Sequence, residues 1–600
     1  MGNFFAELKR RNIYRVGAFY AVVAWVLLQL IANVAPILEL PPWVARAFLL
    51  LLVIGFPLAI LLAWTREPEG DPPQRVMTGR LDWALMGALV VVIALVSYQQ
   101  LASVSGIATT TQKPGVEAAR VAAASPVGAI SIAVLPFANL SDDASQEFFS
   151  DGMTEEIVTA LARIPDLRVV ARGSASQFKG ERRDLRAVGQ ALGATHLIEG
   201  SVRRAGTQLR ITAQLVKADD GVNVWVNSYD RQLTDVFAIQ EDIATAIAGA
   251  LRMPLGLAPG ERLVSSRSID PESYQQFLRA KVLVRTRGPT PISGAIKILE
   301  PLVERNPEYA PALAQLAAAY AIFPTYSRGG SADEVRRTTD EFFPKAEAMA
   351  KRAIQLDPSL ADGYLALGRV QFARGKLLLA EELFSRALAM DPNYPEALTL
   401  NSNLHANVGR LKESLALRQQ LRALEPYIPN TNAEFAELLW LNGQTDAAIE
   451  VLKNLPPVGN RAFDLAMIFA AMGRYSEAAD AVQELPSTPI SQAAISLLRT
   501  APAAAASPQG LPRLDRLWFV YPQVGASGRA LDYYENLAAG GFFAIGGTEN
   551  AYLWHSSYAP IRKTERFKAL VRKNGMVEYW RAKGWPEFCR PTTRDDFACD

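Results

Sequence analysis

Three long apolar runs open the chain. Val16–Ala35 is broken only by Gln29 and Asn33, close to the ~20 residues that a helix needs to cross the hydrocarbon layer of a bilayer. Ala47–Trp64 follows the Pro41-Pro42-Trp43 turn, and a third run extends from Trp83 to about Leu101. The pattern predicts membrane-spanning helices at about 16–35, 47–64 and 83–101. Lys9, Arg10, Arg11 and Arg15 precede the first run and Arg66, Arg75 and Arg80 separate the second from the third, whereas the first connection carries only Arg46. Basic residues are retained on the cytoplasmic side, so the N-terminus is expected inside and everything after residue 101 outside. A cleaved signal peptide fits less well, because the first run exceeds the usual h-region and no A-x-A site follows it. A third run that is a buried core helix would instead leave the soluble part in the cytoplasm.

Beyond the runs the pattern changes. Residues 102–129 are rich in Ala, Ser, Thr, Gly and Val with few charges, a composition that predicts a mobile linker. Ile130–Phe137 has the length and β-branched content of a buried strand and ends in Pro136. Asp151 or Thr154 is placed to cap a helix with Glu155 and Glu156 in its first turn. Leu167–Ala171 predicts a second strand and Leu185–Leu192 a helix stopped by Gly193. Strands are then expected at 195–203, 208–216 and 222–229, with a closing helix from Thr234 to Leu251. The order β-α-β-α-β-β-β-α predicts an α/β domain with a mixed sheet over 130–253.

Several segments of this domain resemble the TolB amino-terminal-like domain, which is related to the flagellar FlgO domain. They are Ile132-Ala133-Val134-Leu135-Pro136-Phe137, Phe148-Phe149-Ser150-Asp151-Gly152-Met153-Thr154-Glu155-Glu156, Gly200-Ser201-Val202-Arg203-Arg204, and Trp225 with Tyr229-Asp230. In that family the domain commonly stands between a membrane segment and tetratricopeptide repeats, often behind a CadC-type winged helix or a nucleotide-cyclase domain. With 15 residues before the first apolar run, no such output domain is expected here. Residues 1–69 resemble the paired-helix anchor of the same proteins. Asp151, Glu155 and Glu156 could pair as catalytic carboxylates, but helix capping accounts for them without chemistry. Arg203, Arg204 and Arg210 could hold an anion or form a solvated strand face, the commoner outcome.

The C-terminal half repeats at a period of about 34 residues, the mark of the tetratricopeptide fold of paired antiparallel helices. Leu367, Gly368, Ala380, Phe384, Ala387 and Pro392 occupy its signature positions in a unit beginning at Ala361. Shifted copies include Ser402, Ser414, Leu421 and Pro426, then Ala436, Ala448 and Leu452, and upstream Ala346, Ala353 and Pro358. The template yields about six repeats over 270–486, with an insertion around Phe323–Thr339. Such repeats wind into a superhelix whose concave wall takes an extended peptide or a partner helix. In this fold the wall positions nominate Arg369, Phe372, Asn403, Glu437 and Trp440 as a protein-binding groove, although Phe372 and Trp440 could equally pack within the array. Residues 487–600 read as an irregular helical region capping the last apolar face.

Charge and chemistry narrow the reading further. The 62 basic and 60 acidic residues nearly cancel, so no global field draws the chain to nucleic acid. The histidines, His196, His405 and His555, are far apart, which argues against a zinc site and against a triad. No phosphate loop, nucleophile elbow or zincin motif is present, and no cofactor is expected. Cys589 and Cys599 are a disulfide candidate, consistent with an oxidising compartment. The sequence therefore predicts a multidomain chain of transmembrane α-helices, an α/β domain and an all-α repeat solenoid. The expected role is a non-catalytic scaffold or envelope sensor of the bacterial inner membrane, with protein or peptide partners and a periplasmic soluble region. The competing expectation is the sensory component of a signalling system whose output domain is on another protein.

Overall fold

The computed structural model describes residues 130–600, apart from 142, 144–145, 180–183, 254–263, 265–268, 327–330, 458, 504–507, 545–546 and 595. The three apolar runs and the linker lie outside the described residues. Among the described residues no helix is long and apolar enough to cross a membrane.

A mixed sheet comes first. Strand β1 (Ser131–Val134) is wholly buried because it lies between two parallel neighbours, β3 (Arg168–Val170) and β4 (His196–Ala205). A two-residue β2 (Ala138–Asn139) also pairs with β4. From β4 the chain turns back twice, through β5 (Gln208–Lys217) and β6 (Asn223–Gln232), giving the order β3-β1-β4-β5-β6. Helices α1 (Glu147–Leu161) and α3 (Val236–Ala250) cover one face, and α2 (Leu185–Leu192) packs on Ala133, Val170 and Leu197 of the other. Asp184 caps α2 and Gly193 ends it at φ 61°, a left-handed stop that glycine takes without a Cβ penalty.

The helix α1 corrects one expectation. It begins at Glu147 with no side-chain cap, so Asp151, Glu155 and Glu156 are mid-helix residues rather than capping ones. What holds them is charge from neighbouring elements, described below.

Six helix pairs follow in sequence: α4 (Pro271–Thr286) with α5 (Pro289–Arg305), α6 (Ala310–Tyr326) with α7 (Ala332–Leu356), α8 (Ala361–Ala373) with α9 (Leu377–Met390), α10 (Pro395–Asn407) with α11 (Leu411–Leu424), α12 (Pro429–Leu441) with α13 (Thr445–Lys453), and α14 (Arg461–Ala471) with α15 (Tyr475–Gln483). A further helix, α16 (Pro489–Thr500), closes the run. Of the expected insertion at 323–339, the described residues are largely helix: α6 runs on to Tyr326, and α7, from Ala332, spans 25 residues. Gly368 shows why the pairs pack closely, since a Cβ there would stand 2.6 Å from the Phe384 ring. Between the two helices of successive pairs, Gly375, Gly409 and Gly443 recur in the left-handed region at φ 73°, 85° and 81°.

A repeat cannot bury both faces alone. The α/β domain covers the first one: Leu278 of α4 packs against α1 at Gly152, and the Gln240 amide of α3 donates to Tyr274 Oη at 2.9 Å. Sheet, α1, α3 and the first repeats share one apolar core.

Candidate functional site

The inner wall of the superhelix is built by α8, α10, α12 and α14, and it is already occupied. The irregular C-terminal segment first packs on α14 and α16 at the end of the array, and then turns back and runs along this wall. Its helical pieces include α17 (Leu531–Ala539), α18 (Glu565–Lys573) and α19 (Met576–Lys583), and it ends in the hairpin β7 (Cys589–Pro591) with β8 (Phe597–Cys599). Cys589 and Cys599 are directly opposed in that hairpin and joined as a disulfide.

The contacts combine main-chain hydrogen bonds with aromatic packing. The Phe543 amide donates to the Ala373 carbonyl at 2.7 Å. The Asn407 amide donates to the Gly547 carbonyl at 2.8 Å, and its carbonyl oxygen accepts from the Asn550 backbone at 2.8 Å. Trp554 and Trp580 donate their indole N–H groups to the carbonyls of Asn407 and Val408 at 3.1 and 2.9 Å. At the turn of Gly409 a Cβ would meet Pro586 at 2.9 Å. The bare turn therefore lets the segment approach the wall.

Four of the five nominated groove residues are buried in this arrangement, and Arg369 is partly exposed. Phe372 lies 5.6 Å from the Phe543 ring. Trp440 stacks on His555 at 4.2 Å. Glu437 accepts from Thr548 Oγ1 at 3.0 Å and Tyr552 Oη at 2.9 Å. Asn403 is fully buried and accepts from Arg418, whose charge Glu434 balances at 2.6 Å. The fifth, Arg369, joins a different cluster: it pairs with Glu396, which Arg287 also contacts at 2.6 Å. The free groove expected from the sequence is thus replaced by a groove filled in cis.

Electrostatics along the wall follow from that burial. Burial, reinforced by the Asp464 charge, pushes the Glu437 carboxyl well above the ordinary range. Burial, with Arg562 nearby, lowers His555 to about 4, so its imidazole is neutral where it stacks on Trp440. His405 is lowered chiefly by burial as well.

The acidic residues of α1 meet a second set of partners. Lys281 of α4 contacts Glu156 at 2.6 Å and Glu155 at 3.2 Å, and Arg285 pairs with Glu155. Arg172 contacts Asp151 at 3.3 Å, and Lys179 contacts it at 2.7 Å. Burial alone would raise Glu155, but Arg285 and Lys281 outweigh it and hold the carboxyl at about 2. Glu155 and Glu156 thus tie the α/β domain to the repeats, while the Asp151 pairs stay within the domain. Arg210 forms an exposed cross-strand pair with Asp230 at 2.6 Å, Arg204 donates to Gln146 at 3.0 Å, and Arg203 is exposed. The three arginines do not converge on one anion site. Among the described residues no three His, Cys, Asp or Glu side chains form a metal-binding group.

Sequence reasoning missed the occupant of the wall. A signal was present: Trp518, Trp554, Trp580 and Trp585 are four of the ten tryptophans of the chain, too much apolar surface for an exposed tail. It also passed over Asp464, an acid in the otherwise apolar run of α14.

No protein-family model matches the chain. It is 35% identical over 237 residues to a protein of Rhizobium meliloti (strain 1021) described as "Putative adenylate cyclase 3", covering 40% of this chain and 39% of that one. The chain thus spans about two fifths of the length of this curated relative. Among solved structures, a thermophilic tetratricopeptide-repeat protein of Thermus thermophilus is 21% identical with a TM-score of 0.25, covering 35% of this chain and 95% of that one. A tetratricopeptide repeat protein from Parabacteroides merdae ATCC 43184 is 12% identical with a TM-score of 0.29, covering 50% and 99%.

Proposed function

We propose that the chain is a membrane-anchored protein-interaction scaffold or sensor of the bacterial envelope, which acts by binding and not by catalysis. One observation carries this reading: the concave wall already holds irregular polypeptide through main-chain hydrogen bonds and buried aromatic rings. A surface of that kind recognises protein. Its occupant here is in cis, so an outside partner engages the assembled module, in which the α/β domain, TolB-like by its motifs, is fixed to the repeats by Glu155, Lys281 and Arg285. The apolar runs before residue 102 supply the anchor and the basic residues around them its direction. The Cys589–Cys599 bond fits a soluble region outside the cytoplasm, where such bonds persist.

The test is cross-linking of the full-length chain in its native membranes, combined with a C-terminal reporter active only in the periplasm. The expected outcome is a discrete cross-linked protein partner and an active reporter. Cross-linking that yields nothing above membranes lacking the chain would remove the scaffold, and a silent reporter would remove the envelope.

A second reading is favoured by the 237-residue similarity to the protein named as a cyclase: the chain is the sensory component of a signalling system whose catalytic domain is on another polypeptide. It predicts that the captured partner carries a cyclase or winged-helix domain.

A further inference from the structure

One edge of the sheet is finished and the other is bare. Beside β3, Ala171 donates its amide to the Leu424 carbonyl at 3.1 Å and Arg168 donates to the Ala423 carbonyl, so α11 covers that edge. At the other end of the strand order stands β6, ten residues long, with no strand beyond it among the described residues. Leu233 donates to the Thr207 carbonyl at 2.9 Å. The alternation of an antiparallel ladder then turns the main-chain groups of Trp225, Asn227, Tyr229 and Arg231 toward β5 and those of Val226, Ser228 and Asp230 outward. Two of these outward groups have taken local substitutes for a neighbouring strand: the Ser228 amide donates to Asn227 Oδ1 at 2.9 Å, and the Asp230 carbonyl accepts from Arg231 at 3.1 Å.

The side chains of this edge are equally unguarded. Val222, Val224 and Val226 are 56%, 40% and 60% exposed. From Val222 to Tyr229 the strand carries neither a charge nor a proline, the devices that commonly blunt an edge. A register shift at Leu215 and Val216 confines irregular pairing to the turn end and leaves Trp225 to Gln232 regular. Charge divides the β5–β6 hairpin by its ends. Asp219 and Asp220 share Lys217 at the turn, at 2.9 and 3.6 Å, which leaves an acidic excess there. At the far end Arg210 takes Asp230 at 2.6 Å, and Arg231 pairs with no carboxylate among the described residues.

We propose that β6 pairs antiparallel with β6 of a second copy of this chain, joining the two sheets across a two-fold axis. Such a contact uses the same patch on both partners. Centred near Trp225, it sets Val224 opposite Val226 in both halves, and cross-strand pairs of this kind stabilise a sheet. The same register brings the acidic turn of each copy to the Arg231 end of the other. A second copy thus supplies both the apolar stripe and the reversed order of charge, which a strand of another protein would have to reproduce. One strand pair buries less than the ~800 Å² per partner of a standard interface, so the association is expected in the micromolar range. The inference concerns self-association alone, and its failure leaves the scaffold reading standing.

Sedimentation velocity of the full-length protein in detergent from ~1 to ~100 µM, with hydrogen exchange on the same samples, tests it. Association over that range is expected, and with it exchange at the Val226 and Asp230 amides slowed about ten-fold or more relative to the dilute sample. Val226→Lys changes an exposed side chain and brings like charges together near the axis. It should abolish the added protection of β6 and weaken association about ten-fold or more while leaving the melting temperature unchanged. Val224→Lys should do the same, which keeps the test decisive if either variant folds poorly. The proposal is overturned if the chain stays monomeric throughout, if association leaves Val226 and Asp230 exchanging as in the dilute sample, or if both variants associate and protect β6 like the native chain.

Discussion

The α/β domain and the C-terminal segment both hold the repeat array through apolar packing, and they differ in the polar chemistry laid over it. At the first, Glu155 and Glu156 meet Lys281 and Arg285, and the Glu396 cluster with Arg287 and Arg369 lies beside them within the repeats. At the second, Trp554, Trp580, Phe543 and His555 pack on the wall and bond its carbonyls. Ion pairs respond to pH and salt, whereas buried aromatic surface does so far less. The contrast is a layer of ion pairs that pH and salt can tune, over the apolar core of the domain junction, against a wall closure that depends on aromatic burial. It also explains why the closure adds little exposed edge: its polar main chain is satisfied by the wall itself.

The largest effect should come from breaking the aromatic side. Trp554 is fully buried, contacts Phe567, Trp580 and Phe588, and donates to Asn407. Trp554→Ala should lower unfolding free energy by about 3–5 kcal/mol, with the cavity and the orphaned carbonyl both contributing. Chemical denaturation followed by tryptophan fluorescence measures it. A loss below about 1 kcal/mol would mean that the segment is held elsewhere.

Slightly smaller is the effect at the ionic junction. Glu155→Ala leaves Arg285 without its carboxylate, while Lys281 keeps Glu156, and should cost about 3 kcal/mol or less. The same carboxyl sets the acid response. Burial raises Glu396, but Arg287 and Arg369 overcome it and hold it at about 2, as Arg285 and Lys281 hold Glu155. A folded pKa below the unfolded one gives stability that is complete above about pH 4.5 and lost as pH falls towards 2. His555 adds to the acid loss earlier, since its lowered value makes the unfolded state bind the proton first, between about pH 6.5 and 4. Glu425 acts oppositely: burial, then the Glu396 charge, raises it to about 7, so its share of stability declines as pH climbs from about 4.5 to 7. Thermal melts of the native chain and of Glu155→Ala between pH 3 and 8 should converge at the acid end. Parallel curves would show that Glu155 does not carry the junction.

Removal of the Cys589–Cys599 bond ranks third. The bond closes a loop of sequence separation 10, for which loop entropy gives about 2–3 kcal/mol. Cys589→Ser should show that loss without affecting the α/β domain, read by comparing hydrogen exchange in β7 and β4. Equal loss of protection in both would merge the two regions into one cooperative unit.

Much of the architecture was legible because its signals are local or periodic. The helix at Leu185–Leu192 carries its own cap at Asp184 and its own stop at Gly193. The repeats announce themselves through the period that places Gly368 against Phe384. The start of α1 was misplaced because Asp151 and Thr154 have good capping chemistry, yet the helix begins upstream with no side-chain cap and its acids answer to α4. The destination of residues 508–600 was not legible at all. Their aromatic content demands burial, but nothing local says which surface receives them. That depends on a concave wall assembled from α8, α10, α12 and α14, elements separated from the segment by long stretches of chain.

The smallest effect sharpens the comparison from the other side. Arg210 and Asp230 make two close contacts, at 2.6 and 3.1 Å, on opposed positions of β5 and β6. Both side chains are 61% exposed, so water and salt screen the pair and it must still hold two long side chains in place. Arg210→Ala should therefore leave the denaturation midpoint almost unmoved, and raising salt to ~1 M should erase any difference that remains. The geometry resembles that of the junction pairs, and only burial separates them. If Arg210→Ala cost as much as Glu155→Ala, burial would not be what makes the junction strong, and the tunable end of the molecule would have to be sought elsewhere.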